Sequence, residues 1–267
     1  MKIHLPNSAF LGNLNPFLRG FDPSDTGFLE ISANEKWICV HPVVLSMIAA
    51  LGVSMKPEIR CEKLAAKSKH YLLRMGLFKM LNIESDMRIE EHEAAGRFIP
   101  LTQIHTSADL TRFITEMIPL LHLDPEPAGT IAYIVSELAR NVIEHADSKD
   151  GAFLCAQYYK KSNTIRIGIA DAGVGIKKAI SQSYPVETDL EAIKLALWPG
   201  ITGTTRREGG SEQNAGAGLF FIKSIALANR DFFVIYSGHT LYKILRRKKG
   251  SQIKLNADPF KDRHSVD

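Results

Sequence analysis

The sequence predicts a mixed α/β (α+β) protein with two domains. Three observations carry this prediction: short strands alternate with helices between residues 27 and 78, a charged connector follows at 84–96, and a β-hairpin pattern lies in the second half. A chain of 267 residues is long enough for two domains of ordinary size. We therefore expect an irregular leader over residues 1–26, a small α/β domain over 27–96 and a second domain over 97–267.

The small domain is expected to alternate strands with helices. Its predicted strands cover residues 27–33, 37–40 and 57–61. An apolar helix is predicted over residues 42–51 with Gly52 as its C-cap, and an amphipathic helix over residues 63–78.

The second domain is expected to begin with a strand and to contain a hairpin. Helices are predicted over residues 107–121, with Ser107 as N-cap, over 127–146 and over 219–228. Predicted strands cover 98–104, the hairpin 152–159 and 164–170 around the turn KKSN, and 232–237, 241–245 and 251–255.

The composition is that of an ordinary globular protein, with 45% apolar and 23% charged residues. The formal net charge of +4 is spread along the chain and indicates no nucleic-acid partner. The three cysteines form no CxxC pair, which predicts free thiols in a reducing compartment. No signal-peptide core and no stretch of about twenty apolar residues occurs, so we expect a cytoplasmic protein without a membrane span.

The segment SELARNVIEHA contains the first motif with chemical potential. It places Glu137, Asn141 and His145 four residues apart, so that their side chains lie on one face of a helix. An amide oxygen is a ligand for Mg²⁺, and a carboxylate one turn away can polarise or deprotonate a nucleophile. The alternative is a solvated helix face, because apolar residues on the opposite face supply core contacts in either case.

A carboxylate at the end of a predicted strand forms the second motif. The strand TIRIGIA runs into DAGVGI, which puts Asp171 beside Gly173 and Gly175. Glycine lets a ligand approach the backbone closely, and the 6-amino group of adenine requires an acceptor such as a carboxylate. The alternative is a strand that ends in an Asp–Gly turn.

A loop rich in glycine and threonine, residues 199–218, is the third motif. It leads into a helix N-terminus, where exposed amides and the helix dipole attract phosphate. It is not a Walker loop, because the chain contains no GxxxxGK[ST]. The alternative is a surface loop without a ligand.

Taken in this order, the three motifs resemble the N, G1 and G2 boxes of the GHKL ATPase superfamily, which read E-x-x-x-N, D-x-G-x-G and G-x-G-L. The resemblance covers about residues 98–257 and implies a two-layer Bergerat-type ATP-binding sandwich. ATP and Mg²⁺ are the cofactors that it implies.

The resemblance also implies roles for single residues. Glu137 would be the catalytic acid that activates or orients the attacking group, Asn141 would ligate Mg²⁺, and Asp171 would bind the adenine amine. The other implied nucleotide-binding residues lie in the base pocket, the ATP lid and the phosphate end: Gly173, Gly175, Thr204, Thr205, Gly216, Gly218 and Leu219.

Two finer resemblances concern the branch of the superfamily and the N-terminal region. Asn-Val-Ile-Glu-His-Ala, and Phe220 in place of a third glycine, resemble the anti-sigma-factor serine-kinase branch. The order strand, His41-Pro42, helix, strand, helix resembles a STAS domain, with an unrelated α/β scaffold as the alternative. Ser46 lies inside the predicted helix, so the phospho-acceptor role of STAS domains is not carried over to it.

The resemblance implies a regulatory protein of bacterial signalling that transfers the γ-phosphoryl group of ATP to water or to a Ser/Thr of a partner protein. The alternative is a nucleotide-gated binding module without turnover, in which ATP orders the 199–218 loop. Glu137 favours catalysis, whereas the lack of an evident lysine in that loop leaves the alternative open. A protein partner is expected in both cases, and the oligomeric state is left open, with a homodimer as one option.

Overall fold

The structure is a computed structural model of the chain. It describes residues 1–6, 8–9, 14–19, 27–34, 39–56, 58–61, 64–85, 96–201, 217–245, 250 and 254–267. Its contacts form two compact units, of which the first comprises Met1–Ile143 with Ser148–Ala172 and the second Glu144–Asp147 with Gly173–Asp267. The predicted boundary between residues 96 and 97 falls inside the first unit, and the division into domains stays a prediction. The mixed α/β class is confirmed.

The first unit begins with short parallel strands. They are β1 (Lys2–Leu5), β2 (Ser8–Ala9), β3 (Phe28–Ala33), β4 (Cys39–Val40) and β5 (Glu58–Cys61). Strands β1, β3 and β5 form a parallel sheet in that order, and β2 pairs with β4. The expectation of an irregular leader is wrong for β1, whose residues alternate between exposed and buried positions. This alternation is typical of a half-buried strand. The strand was not predicted because it is short and is followed by many Asn, Pro and Gly residues, which are typical of irregular segments.

Helices α1 (Asn15–Leu18), α2 (Pro42–Ser54), α3 (Ala66–Arg74) and α4 (Leu77–Met80) accompany these strands. Helix α2 begins where Nδ1 of His41 accepts a hydrogen bond from the Val43 amide at 3.2 Å. Gly52 lies inside α2 and does not end it. Packing accounts for the glycine, since the side chain of Leu81 occupies the space that a Cβ would need. Gly76, at φ +80°, separates α3 from α4. Two helices therefore replace the single helix predicted over residues 63–78.

An antiparallel sheet completes the first unit. Its strands β6 (Phe98–Ile104), β7 (Ala152–Tyr159) and β8 (Thr164–Ala170) pair in that order, which confirms the predicted hairpin. Helices α5 (Ser107–Arg112) and α6 (Pro125–His145) lie between β6 and β7 in the chain. Thr106 is the N-cap of α5 in place of Ser107, because its hydroxyl and the Asp109 carboxylate form a capping box. A π turn and a 3₁₀ turn follow α5, so the helix predicted over residues 107–121 is not continuous.

Helix α2 packs on strands β7 and β8. The fully buried hydroxyl of Ser46 donates a hydrogen bond to the Gly168 carbonyl at 3.0 Å, and the Cys155 thiol donates to the Pro42 carbonyl at 3.3 Å. A Cβ at Gly168 would overlap the backbone of Val43. This contact therefore requires glycine in β8, and it gives Ser46 a structural role.

The described residues of the second unit form three α-helices and an antiparallel sheet. The helices are α7 (Gly175–Ser181), α8 (Asp189–Ala196) and α9 (Gly218–Ala228), and the sheet has the order β11 (His264–Val266), β10 (Thr240–Ile244), β9 (Phe233–Ser237). Its core cluster consists of Ile193, Leu197, Leu227, Tyr242 and Ile244. Residues 251–253 of the strand predicted over 251–255 lie outside the described residues. None of the helices in the described part of the chain is long and apolar enough to cross a membrane.

Candidate functional site

Helix α6 positions the first two predicted site residues. Glu137 and Asn141 lie one helical turn apart, and both are half-buried. The core side of the helix is formed by Ile131, Val135, Ala139 and Val142, all buried. Glu137 and Asn141 therefore lie at the border between the packed side and the open side of α6, where a polar side chain can reach a ligand.

Asn141 carries an unsatisfied polar atom. Its Nδ2 is buried and has no hydrogen-bond partner in the part of the chain that the structure describes. An unpaired buried amide costs about 1–3 kcal/mol, so such a group indicates a partner other than the described residues, such as a ligand. The oxygen and nitrogen of an Asn amide exchange places by a half-turn of the side chain, so either atom can meet that partner.

The described protein ligands near Asn141 suit a magnesium ion that is held mainly by water and phosphate; they do not suit a metal site built only from protein side chains. Among the described residues, no group of three or more His, Cys, Asp or Glu side chains comes together that could hold a metal. Mg²⁺ commonly takes one or two protein oxygens and completes its shell with water and substrate phosphates. A single amide oxygen from Asn141 is compatible with that mode of binding.

The carboxylate of Glu137 acts electrostatically on the phenol of Tyr133, one turn earlier on α6. Partial burial raises the pKa of Tyr133, and the negative charge of Glu137 raises it further. The phenol therefore stays neutral at physiological pH and lies within electrostatic reach of the carboxylate.

Asp171 follows the last residue of β8 directly and is exposed. Ala170 pairs with Phe153 of β7, which fixes this end of the strand in the sheet. The structure thus places a carboxylate at the mouth of a strand, as the sequence predicts. Glu137, Asn141 and Asp171 all belong to the first unit.

The two glycines after Asp171 belong to the second unit, where close packing accounts for Gly173 and the backbone conformation for Gly175. A Cβ at Gly173 would overlap the Ala146 carbonyl, which accepts a hydrogen bond from the Val174 amide at 2.7 Å. Gly175 has φ +78°, a conformation that L side chains rarely adopt. Their predicted contacts with a base stay a prediction.

The remaining predicted residues divide between described and undescribed positions. Gly218 is the first residue of α9, and Leu219 packs its side chain against the core cluster of the second unit. Any contact of Leu219 with phosphate would therefore come from its backbone. Thr204, Thr205 and Gly216 lie outside the described residues.

His145 ends helix α6. Its Nε2 lies 3.9 Å from the Glu144 carboxylate, and its Nδ1 is buried without a hydrogen-bond partner in the described residues.

Sequence reasoning missed several groups that position these segments. Helices α7 and α8 were not predicted, although Thr188 and Glu191 form the capping box that T-x-x-E signals. The hydroxyl of Ser237 accepts a hydrogen bond from the Ile176 amide at 2.9 Å and so fixes the start of α7. No sequence pattern indicates that contact, because it joins residues distant in the chain.

A buried ion pair holds α9 to the C-terminal segment. Nζ of Lys223 lies 3.0 Å from Oδ2 of Asp262, and both side chains are fully buried. Lys223 also donates to the Asn256 carbonyl at 2.6 Å, and Nδ2 of Asn256 donates to Oδ1 of Asp262 at 2.8 Å. A lysine within the apolar run FFIKSIA was the only sequence signal for this network.

Comparison with known protein families gives one match. Residues 99–228, from β6 to α9, match a family model described as a histidine kinase-like ATPase domain. Comparisons with curated proteins and with solved structures gave no match. The family match covers slightly less than half of the chain and supports an ATP-binding domain of the GHKL type in that segment.

Proposed function

We propose that this protein binds Mg–ATP and transfers its γ-phosphoryl group to water or to a Ser/Thr hydroxyl of a partner protein. It would act as a regulatory ATPase or kinase of the anti-sigma-factor type in bacterial signalling. The observation that carries the proposal is the buried Nδ2 of Asn141, which has no hydrogen-bond partner among the described residues. Asn141 lies one helical turn from Glu137, inside the segment that matches the family model.

Three side chains of the first unit have separate tasks in this proposal. Asn141 holds the metal ion, which when bound neutralises phosphate charge. Glu137 accepts a hydrogen bond, and then the proton, from the attacking hydroxyl group. Asp171 accepts a hydrogen bond from the exocyclic amine of adenine, so it selects the base.

The carrying observation has a direct test in the Asn141→Ala variant. Removal of an unpaired buried amide should leave the free energy of unfolding of the nucleotide-free protein unchanged or raise it by up to about 1 kcal/mol. The same change should lower the affinity for a non-hydrolysable ATP analogue in Mg²⁺ to the value measured with EDTA. Asn141→Asp keeps an oxygen at this position and should retain the magnesium dependence.

The proposal fails if Asn141→Ala unfolds more easily by about 2 kcal/mol and binds the analogue with unchanged magnesium dependence. Asn141 would then be a structural residue whose partner lies within the protein.

Turnover separates this proposal from the nucleotide-gated binding module. Glu137→Gln should bind ATP about as tightly as the wild type and lose its hydrolysis or kinase rate by about a hundredfold. Glu126→Gln, an exposed carboxylate in the first turn of the same helix, is the matched control and should keep the rate. A wild-type protein that binds ATP but shows no turnover, even with cell extract, favours the binding module.

The predicted lid, residues 199–218, bears on the same alternative. Residues 202–216 lie outside the described residues, so the lid stays a prediction from the glycine-rich sequence. We expect ATP to slow tryptic cleavage after Arg206 and Arg207 in both readings of the function. Cleavage at an unchanged rate would contradict a lid.

We also propose that the N-terminal region is STAS-like. The parallel order β1-β3-β5, with α2 between β3 and β5 in the chain, supports this proposal, although β1 lies before the predicted start at residue 27. A crystal structure whose N-terminal strands superpose on no STAS domain would contradict it.

A further inference from the structure

A basic cleft of about 380 Å³ lies in the first unit, at the end of β7 that leads into the hairpin turn. Four cationic side chains line it: Arg74 from α3, Arg97 before β6, and Lys160 and Lys161 in the turn after β7. Three tyrosines line it as well: Tyr71, Tyr158 and Tyr159. We refer to this site as the tyrosine–arginine cleft.

Among the described residues, no carboxylate compensates the charge of the tyrosine–arginine cleft. None of the described lining residues is acidic, and none of the four cations forms an ion pair with another described residue. All four side chains are exposed, so their charged groups are available to an anion. Two guanidinium groups beside two ammonium groups match the charge and the bidentate geometry of phosphate oxygens.

The phenol groups of the cleft fix two aromatic rings. Tyr71 donates its hydroxyl hydrogen to a backbone carbonyl at 3.2 Å, and Tyr158 donates to Oδ1 of Asn163 at 2.9 Å. Both rings are half-buried and offer apolar area to a flat ligand. Tyr159 is less suited to stacking, because the guanidinium of Arg166 lies 4.2 Å from its ring centroid.

The tyrosine–arginine cleft lies at the opposite end of the sheet from Asp171. Tyr159 pairs with Thr164 beside the cleft, and Phe153 pairs with Ala170 just before Asp171. Six residues of extended strand between these pairs span about 20 Å. A ligand in the cleft is therefore separate from the adenine contact proposed for Asp171.

We propose that the tyrosine–arginine cleft binds a small phosphorylated compound with a flat ring, of the size of a nucleoside monophosphate. The cations bind the phosphate, and the fixed rings of Tyr71 and Tyr158 stack on the base. The volume is at the lower end of the range for small-molecule sites, which fits one nucleotide. This site goes beyond the proposed ATP function, which does not use these residues.

Calorimetry with uridine 5′-monophosphate on the full chain tests the proposal, since uracil lacks the 6-amino group that Asp171 would recognise. The wild type should bind the probe, and increased salt should weaken binding. Arg97→Gln/Lys160→Gln should weaken it at least about tenfold. Lys79→Gln/Lys254→Gln removes the same charge from exposed positions outside the cleft and should leave the affinity unchanged.

Four outcomes of this titration would overturn the proposal. The wild type does not bind the probe, or the control variant loses as much affinity as the cleft variant. Inorganic phosphate competes as well as the nucleotide, so the ring is not recognised. An oligouridylate binds more than about a hundredfold more tightly, which indicates a nucleic-acid surface.

The Asp171→Asn variant distinguishes this inference from the proposed function. It should bind the uridine probe as the wild type does while its affinity for ATP falls. Loss of both affinities would place the probe at the Asp171 site. It would overturn the proposal for the tyrosine–arginine cleft and leave the proposed ATP function standing.

Discussion

Gly168 shows how a single residue fixes the packing of two elements. The backbone of β8 approaches the first turn of α2 so closely at this position that a Cβ would overlap the backbone of Val43. Gly168→Ala should therefore lower the free energy of unfolding by about 2–3 kcal/mol, because the backbone must move. Urea unfolding measures this change.

Gly129 on α6 is the matched control, because a Cβ there meets no atom within 4 Å. Gly129→Ala should raise the free energy of unfolding by about 0.5–1 kcal/mol through helix propensity. Equal free energies of unfolding for Gly168→Ala and Gly129→Ala would contradict the close approach of β8 to α2 at Gly168.

His41 makes the stability of the first unit dependent on pH. Burial, and to a smaller extent the positive charge of Arg166, lowers the pKa of His41 to about 3. In the unfolded chain the imidazole titrates near 6.5, so below that pH the unfolded state binds a proton that the folded state does not. The contribution of the neutral His41 to the free energy of unfolding is therefore fully present above pH 6.5. It falls by about 1.4 kcal/mol per pH unit as the pH decreases towards 3.

The His41→Asn variant isolates this contribution. Asn keeps an acceptor for the Val43 amide at the start of α2 but does not titrate. The difference in unfolding free energy between wild type and variant should change between pH 6.5 and 5, where carboxylates titrate little. A difference that stays constant over this range would contradict the burial of a neutral imidazole.

The predicted site residues illustrate what sequence can supply at the residue scale. The spacing of Glu137 and Asn141 and the position of Asp171 after a strand are local properties, and the structure agrees with both placements. The overlap that excludes a side chain at Gly173 involves Ala146, which lies far away in the chain. Such distant contacts leave no periodic pattern in the sequence.

At the scale of elements, the buried network around Lys223 provides a sharp prediction. Asp262→Ala leaves the lysine charge buried and unpaired, which should cost about 3–5 kcal/mol of unfolding free energy. Lys223→Met/Asp262→Leu removes both charges and should recover most of that loss. Thermal unfolding of the single and double variants measures the difference.

The exposed pair of Glu58 and Arg60, 3.0 Å apart, is the control for this network. Glu58→Gln should leave the melting temperature unchanged, because solvent screens an exposed pair. If Lys223→Met/Asp262→Leu is as unstable as Asp262→Ala, then lost packing, and not the unpaired charge of Lys223, causes the loss of unfolding free energy.

The sequence predicted elements well where the pattern was regular and long. The hairpin β7–β8 and the helix α6 are confirmed, because alternation and helical spacing are strong in them. Helices α7 and α8 were missed because their apolar spacing is short, and α3 and α4 were joined because Gly76 was not recognised as left-handed. The packing of α2 on β7 and β8 could not be predicted from the sequence, since an apolar helix does not specify which sheet covers it.

At the scale of the whole molecule, contacts and charge patterns divide the chain differently. The charged stretch at 84–96 predicts a boundary, but the N-terminal strands and the β6–β8 sheet belong to one compact unit. A connector shows where the chain leaves one element; it does not show which surfaces pack afterwards.

In the proposed function, Asp171 recognises the exocyclic amine of ATP. Inosine triphosphate carries a carbonyl oxygen in place of that amine, so an acceptor would face the carboxylate and leave both groups unpaired. Asp171→Asn replaces half of the carboxylate by a donor and should weaken ATP about tenfold to a hundredfold. Asp124→Asn, at an exposed carboxylate before α6, is the matched control.

Calorimetry of ATP and inosine triphosphate in Mg²⁺, with the wild type and both variants, measures this recognition. The wild type and Asp124→Asn should bind ATP at least about tenfold more tightly than inosine triphosphate, and Asp171→Asn should lose that preference. Equal affinities of the wild type for the two nucleotides, or unchanged ATP affinity in Asp171→Asn, would contradict recognition of adenine by Asp171.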